Sequence, residues 1–141
     1  MIKFRGENMN YIAILVAAAV SIIVGFLWYG PLFGKIWQEL MGFTKKDLEK
    51  AKGEGMGKSY FIMVIGTLIT TYVLAYLIDM TGSVSYIDGA IIGFWAWIGF
   101  IATTTIGAVL WEKKSWKWWF LNNAHSLVNL LVIGAIIGVW V

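Results

Sequence analysis

The chain of 141 residues has no cysteine, one proline, one histidine and few charges. Each shortage rules something out. Without cysteine there is no disulfide, no thiol nucleophile and no thiolate metal site. With a single histidine, His125, a histidine-cluster metal centre cannot form within one chain. Charged residues make up only 13% of the chain, against about 25% in a soluble domain. The basic residues are confined to connecting segments and the net charge is only +3, which does not make the clustered basic surface of a nucleic-acid binder. No nucleophile stands beside a base, and neither a phosphate loop nor an acid pair is present. The sequence therefore nominates no catalytic residue, no metal and no cofactor.

What is abundant is apolar. Hydrophobic residues make up 60% of the chain and the mean hydropathy is +0.76. A chain this short has too much surface for its volume to hide that area inside itself, so lipid is the expected surrounding. The apolar residues fall in four blocks, residues 11–29, 60–78, 87–110 and 118–141, with no charge in the interior of any. Each is close to the ~20 residues that cross ~30 Å of hydrocarbon at ~1.5 Å per residue. One Asp or Lys at mid-helix would cost about 3 kcal/mol. The expected fold is all-α: a polytopic membrane protein with four transmembrane helices, a short interfacial helical loop and a single transmembrane domain over residues 1–141. Lys3 and Arg5 ahead of an apolar run resemble a signal peptide, but the run continues through Ile22, Ile23, Val24, Phe26 and Trp28. That exceeds the ~7–15 apolar residues of a signal peptide, so a retained helix is expected.

The connections set the orientation. Residues 34–59 hold Lys35, Lys45, Lys46, Lys50, Lys52 and Lys58; residues 111–117 hold Lys113, Lys114 and Lys117; the other side has only Lys3 and Arg5. The positive-inside rule places loops 34–59 and 111–117 in the cytoplasm and both termini outside, in a cell-membrane protein. Trp28, Tyr29, Trp37, Trp111, Trp116, Trp118, Trp119 and Trp140 lie near the block ends, as aromatic belts do. Gly30-Pro31 is expected to end or kink the first helix. Residues 35–43 alternate charge with Ile36, Trp37, Leu40 and Met41 and should lie along the membrane surface. Thr44 and Asp47 have the spacing of an N-cap and its N3 partner, and the glycines of residues 53–57 should end that short helix. The lysines would grip anionic lipid heads or, between Lys45 and Lys58, dock a cytoplasmic partner.

The last block is not merely apolar. Asn122, His125, Ser126 and Asn129 recur at i, i+3, i+4 and i+7, one stripe of a helix, with Asn123 at its edge. Buried amides in hydrocarbon need partners, so this stripe should face other helices, as interhelical glue or as the wall of a polar path. His125 is the titratable group nearest mid-membrane, with Thr103, Thr104, Thr105, Thr67, Thr70 and Thr71 as expected neighbours. Gly134 and Gly138 lie on roughly the opposite face, and Gly89 and Gly93 repeat the small-xxx-small spacing in the third block, a pattern that lets helices approach closely. A helix with partners on two sides asks for more surfaces than one chain easily supplies, and a homo-oligomer is expected. Asp79 and Asp88 flank a short outer turn and should sit in water, with Asp88 able to cap the third helix. Glu112 reads as interfacial. A short echo between Gly25-Phe26-Leu27-Trp28 and residues 107–111 hints at a duplicated helix pair.

Three stretches carry a resemblance. Residues 25–37, with Trp28-Tyr29-Gly30-Pro31 and Lys35-Ile36-Trp37, residues 110–115 around Trp111-Glu112-Lys113, and the final helix with Leu121-Asn122-Asn123-Ala124-His125 resemble a family of small prokaryotic membrane proteins, the domain of unknown function 1761. The resemblance implies a four-helix membrane fold and assigns no activity. It implies that Trp28, Tyr29, Pro31, Trp37 and Glu112 are the positions of any shared role. Two functions follow as expectations: a small oligomeric channel or transporter for a solute or ion, or a non-catalytic accessory protein that binds a partner or anionic lipid through its lysine-rich loop. An enzyme acting on lipid finds no supporting constellation.

Overall fold

A computed structural model describes residues 9–82 and 85–140. Lys3 and Arg5, on which part of the charge asymmetry rests, and Val141 lie outside the described residues. The elements are α1 (Tyr11–Leu27), a π-turn (Trp28–Leu32), α2 (Gly34–Met41), α3 (Lys45–Glu54), α4 (Gly57–Thr81), α5 (Tyr86–Trp97), a second π-turn (Ile98–Ala102), α6 (Thr103–Trp111) and α7 (Trp116–Val139). Four stretches are long and apolar enough to cross a membrane: Tyr11–Leu32, Gly57–Thr81, Tyr86–Trp111 and Trp116–Val139.

The first span does not stop at Gly30-Pro31. Proline brings no N–H to the carbonyl four residues back, and the helix responds by widening: the Phe33 N–H reaches the Trp28 carbonyl, five residues back, at 2.9 Å. The third span carries a π-turn midway that its hydropathy does not announce. Caps follow local chemistry. Asn10 accepts from the Ala13 N–H, Ser85 from Asp88 and Ser115 from Trp118. The third-span cap is thus Ser85, and Asp88 sits three residues on, in the first turn.

Helix α7 is the hub and packs on α1, α4, α5, α6 and α2. Towards the end that carries the termini, Ala13, Ile14 and Ala17 of α1, Leu74, Ala75 and Ile78 of α4, and Leu130, Ile133 and Ile137 of α7 form the buried core. There the Asn10 side-chain amide donates to the Trp140 carbonyl at 3.0 Å, tying the start of α1 to the end of α7. Asp79 is not simply in water: its Oδ2 is buried without a hydrogen-bond partner. At the other end α2 folds back against α7, where the Trp118 indole N–H meets the Met41 sulfur at 3.1 Å. Both lysine-bearing connections therefore share one end of the bundle. The outer faces of α1, α4 and α5 expose Leu15, Ile23, Phe61, Ile62, Ile69 and Ile91, as expected of helices whose solvent is lipid.

The glycines have found their contacts within the chain. A Cβ on Gly89 would collide with the Gly134 carbonyl, one on Gly93 with that of Leu130, and one on Gly138 with that of Ser85. Helices α5 and α7 run backbone against backbone. The two sides of α7 that suggested a second copy are thus both covered by this chain, so the packing glycines no longer argue for an oligomer.

Candidate interhelical site at the lysine-bearing end

The polar stripe of α7 divides between two neighbours. Tyr29, inside the first π-turn, donates its hydroxyl to Asn122 Oδ1 at 2.6 Å. The Asn122 amide turns back to the Trp118 carbonyl at 2.9 Å. One residue on, about 100° around the helix, Asn123 faces the other way. It is 3% exposed, accepts from the Thr105 hydroxyl at 2.9 Å and returns its amide to the Trp119 carbonyl at 2.9 Å. Its backbone carbonyl takes the Trp97 indole N–H at 2.9 Å. Trp97 ends α5 just before the second π-turn, and Thr105 lies in α6 just after it. Two adjacent asparagines therefore each bond the flank or interior of a helix interruption, on two different neighbours of the hub.

His125 points at α1, not at the threonines expected beside it. Its ring stands edge-on to Tyr29 at 4.9 Å and tilted to Trp28 at 5.9 Å. Its Nε2 lies over Gly25, 3.6 Å from where a side chain would begin. Gly25 closes a row, Ala13, Ala17, Ser21, Gly25, spaced one residue in four, the first three of them buried; the small side chains admit α7 and the last gap admits the imidazole. Thr67, Thr71, Thr103 and Thr104 bond back to main-chain carbonyls of their own helix, a common habit of helical threonine. Thr105 alone among the expected threonines reaches the stripe, at Asn123. Ser126 bonds back to the Asn122 carbonyl at 3.1 Å.

Three polar atoms near this seam are buried with no hydrogen-bond partner: His125 Nε2, Trp28 Nε1 and Asn129 Oδ1. Each such atom costs about 1–3 kcal/mol. The arrangement offers one imidazole and no carboxylate, and no group of three metal-ligating side chains forms among the described residues. Its chemistry is hydrogen bonding and aromatic contact.

Of the motif residues, Trp28 and Tyr29 stand in this seam and Trp37 packs edge-to-face on Tyr29 at 5.4 Å. Pro31 is exposed and acts through the π-turn. Glu112 stands apart, exposed at the end of α6. The i, i+3, i+4, i+7 stripe marks α7 in the sequence, and the one-in-four row of small residues ending at Gly25 is the signal that could have found its partner face on α1, but nothing comparable marks Trp97.

Three apolar spans packed around a fourth, the hub α7, with exposed apolar outer faces, define a multi-pass α-helical membrane protein. The chain belongs to the family described as "Protein of unknown function (DUF1761)", whose model matches residues 12–138. A UPF0591 membrane protein of Schizosaccharomyces pombe is 26% identical over 128 residues, covering 86% of this chain and 86% of that protein; the likeness thus extends to a fungus. No solved structure matches.

Proposed function

We propose that the protein is a small channel or transporter for a solute or ion, working as a homo-oligomer, with the seam between α1 and α7 as its working part. The observation that supports this reading is the pair of helix interruptions bonded to Asn122 and Asn123. Single π-turns inside α-helices occur frequently at functional sites, and both of these stand beside interhelical polar contacts. Three grooves among the described residues are lined almost wholly by apolar side chains. A polar path beside these three would be formed with further copies or by movement at the π-turns. On the positive-inside rule the lysine-bearing end faces the cytoplasm and the termini face out. The test is solute and ion flux into liposomes carrying the purified protein, wild type against His125→Ala. Flux that the substitution abolishes supports the reading; absence of flux for any small ion or neutral solute overturns it. Light scattering in detergent tests the oligomer, which a strictly monomeric particle would refute.

A specific observation favours a second reading. Helix α3 is capped at its start by Thr44 and Asp47 in both directions, at 2.9 and 3.2 Å, yet none of its residues is buried. A folded, charged helix on which only Leu48 and Ala51 are partly covered suits an accessory protein that docks a partner or an anionic lipid surface. Cross-linking in cells from Lys45 and Lys58 should then trap one specific partner; recovery of self-links alone would count against it.

A further inference from the structure

We infer that α2 is a hinged cap over the lysine-side mouth of the α1–α7 seam. The inference rests on the reading that this seam is the working part of the molecule. The hinge is the π-turn, where Pro31 supplies no N–H and a side chain added at Gly30 would point into open space. Beyond the cap, Gly42 turns the chain at φ +72°, and α3 follows with no residue buried. So α2 is tethered through the backbone at one end and held at the other by its side-chain contacts with α7.

What closes it is a short set of contacts. Gly34 is the one buried residue of α2, seated where an added Cβ would come within 2.8 Å of the Tyr29 carbonyl oxygen. Trp37 lies edge-on to Tyr29 at 5.4 Å and to Phe43 at 5.4 Å. The Trp118 N–H to Met41 sulfur contact, 3.1 Å, fixes the far end to α7. Lys35, Ile36 and Glu39 face outward. Directly behind Trp37 stand the Tyr29–Asn122 hydrogen bond and then the His125 ring. Lifting α2 opens these groups to the lysine-side solution; with α2 down, an aromatic row from Phe43 through Trp37 and Tyr29 to His125 seals them.

The absence of native cysteine makes the test direct. A single reporter, His125→Cys, is labelled with a membrane-impermeant maleimide supplied from the lysine-bearing side. Labelling should be slow with the latches intact and at least tenfold faster with Trp37→Ala and Met41→Ala added, while Glu49→Cys at an exposed position of α3 labels equally in both backgrounds. Equal rates at residue 125 would overturn the cap. A second reporter, Ile133→Cys in the buried core, must stay unlabelled; if it labels, the gentler Trp118→Phe variant, which deletes only the indole N–H, carries the same test with the same two outcomes. Flux and accessibility separate the two claims. Opening without flux in any background removes the transport reading and keeps the cap; flux with unchanged accessibility removes the cap alone.

Discussion

Two seams of α7 make opposite use of the same helix. Against α5, glycines bring two backbones into contact from Gly93–Leu130 to Gly138–Ser85, leaving no side chain to rearrange. Against α1, at the lysine-bearing end, the contact is made of rings and amides, interrupted by a π-turn and left with unpartnered polar nitrogens. In a bilayer there is little hydrophobic gain between helices, so close packing supplies the association. The glycine seam supplies it. The aromatic seam carries a cost that a purely structural contact would have shed, and it is there that movement or binding is cheapest.

The comparison is broken most severely at the glycines. Gly134→Leu drives a side chain into the Gly89 carbonyl, with two backbones and no flexible atom to yield, and should cost about 3 kcal/mol or more. Loss of the folded particle in detergent is expected; a melting temperature equal to wild type would remove the distinction between the seams. The next effect has the opposite sign. His125→Phe keeps a ring over Gly25 and deletes the unpartnered Nε2, relieving part of a cost of about 1–3 kcal/mol. Its melting temperature should rise while liposome flux falls. A lower melting temperature with flux retained would make the seam ordinary glue.

A smaller effect sharpens the polar contact itself. Tyr29→Phe removes one interhelical hydrogen bond, worth about 0.6 kcal/mol on average and about 1.7 at most. A double-mutant cycle with Asn122→Ala should return a coupling of that size, and a coupling of zero would show that the 2.6 Å contact contributes nothing to folding. The smallest effect lies outside both seams. Hydrogen bonds from Thr44, its backbone N–H first, hold the Asp47 carboxyl below the usual carboxylate range. A depressed value means that the cap is fully present above the unfolded pKa of about 3.9 and is lost as pH falls through the lower folded value. Acid should fray α3 and leave the four spans intact, read as faster amide exchange at Asp47 and Leu48; protection that persists below that range would refute the cap's contribution.

Much of the fold was legible in the residues because lipid allows few answers. A run of ~20 apolar residues in hydrocarbon must satisfy its backbone internally, so hydropathy alone yields helices. The capping pair Thr44 and Asp47 is equally local and was equally readable. The interruptions were less so. Gly30-Pro31 announces a defect but not its kind, since a helix can stop, kink or widen there, and tertiary contacts choose. The break at residues 98–102 has no proline at all. It is flanked by Trp97 and Thr105, and their partner Asn123 was placed at the edge of the polar stripe although it is the most buried amide of α7. Periodicity finds a face but cannot say which neighbour the face meets.

By itself, then, the sequence determined the number of spans, their approximate ends, the family and the polar and small-residue faces of the last helix, because each depends on residues close together in the chain. Only the tertiary structure decided that Gly134 and Gly138 serve α5 of the same chain, that His125 faces Gly25 and Tyr29, and that α2 closes over them. Those outcomes depend on which helices become neighbours, a choice made by the fit of whole surfaces, a hundred residues apart in the case of Gly25 and His125, and visible in neither stretch alone.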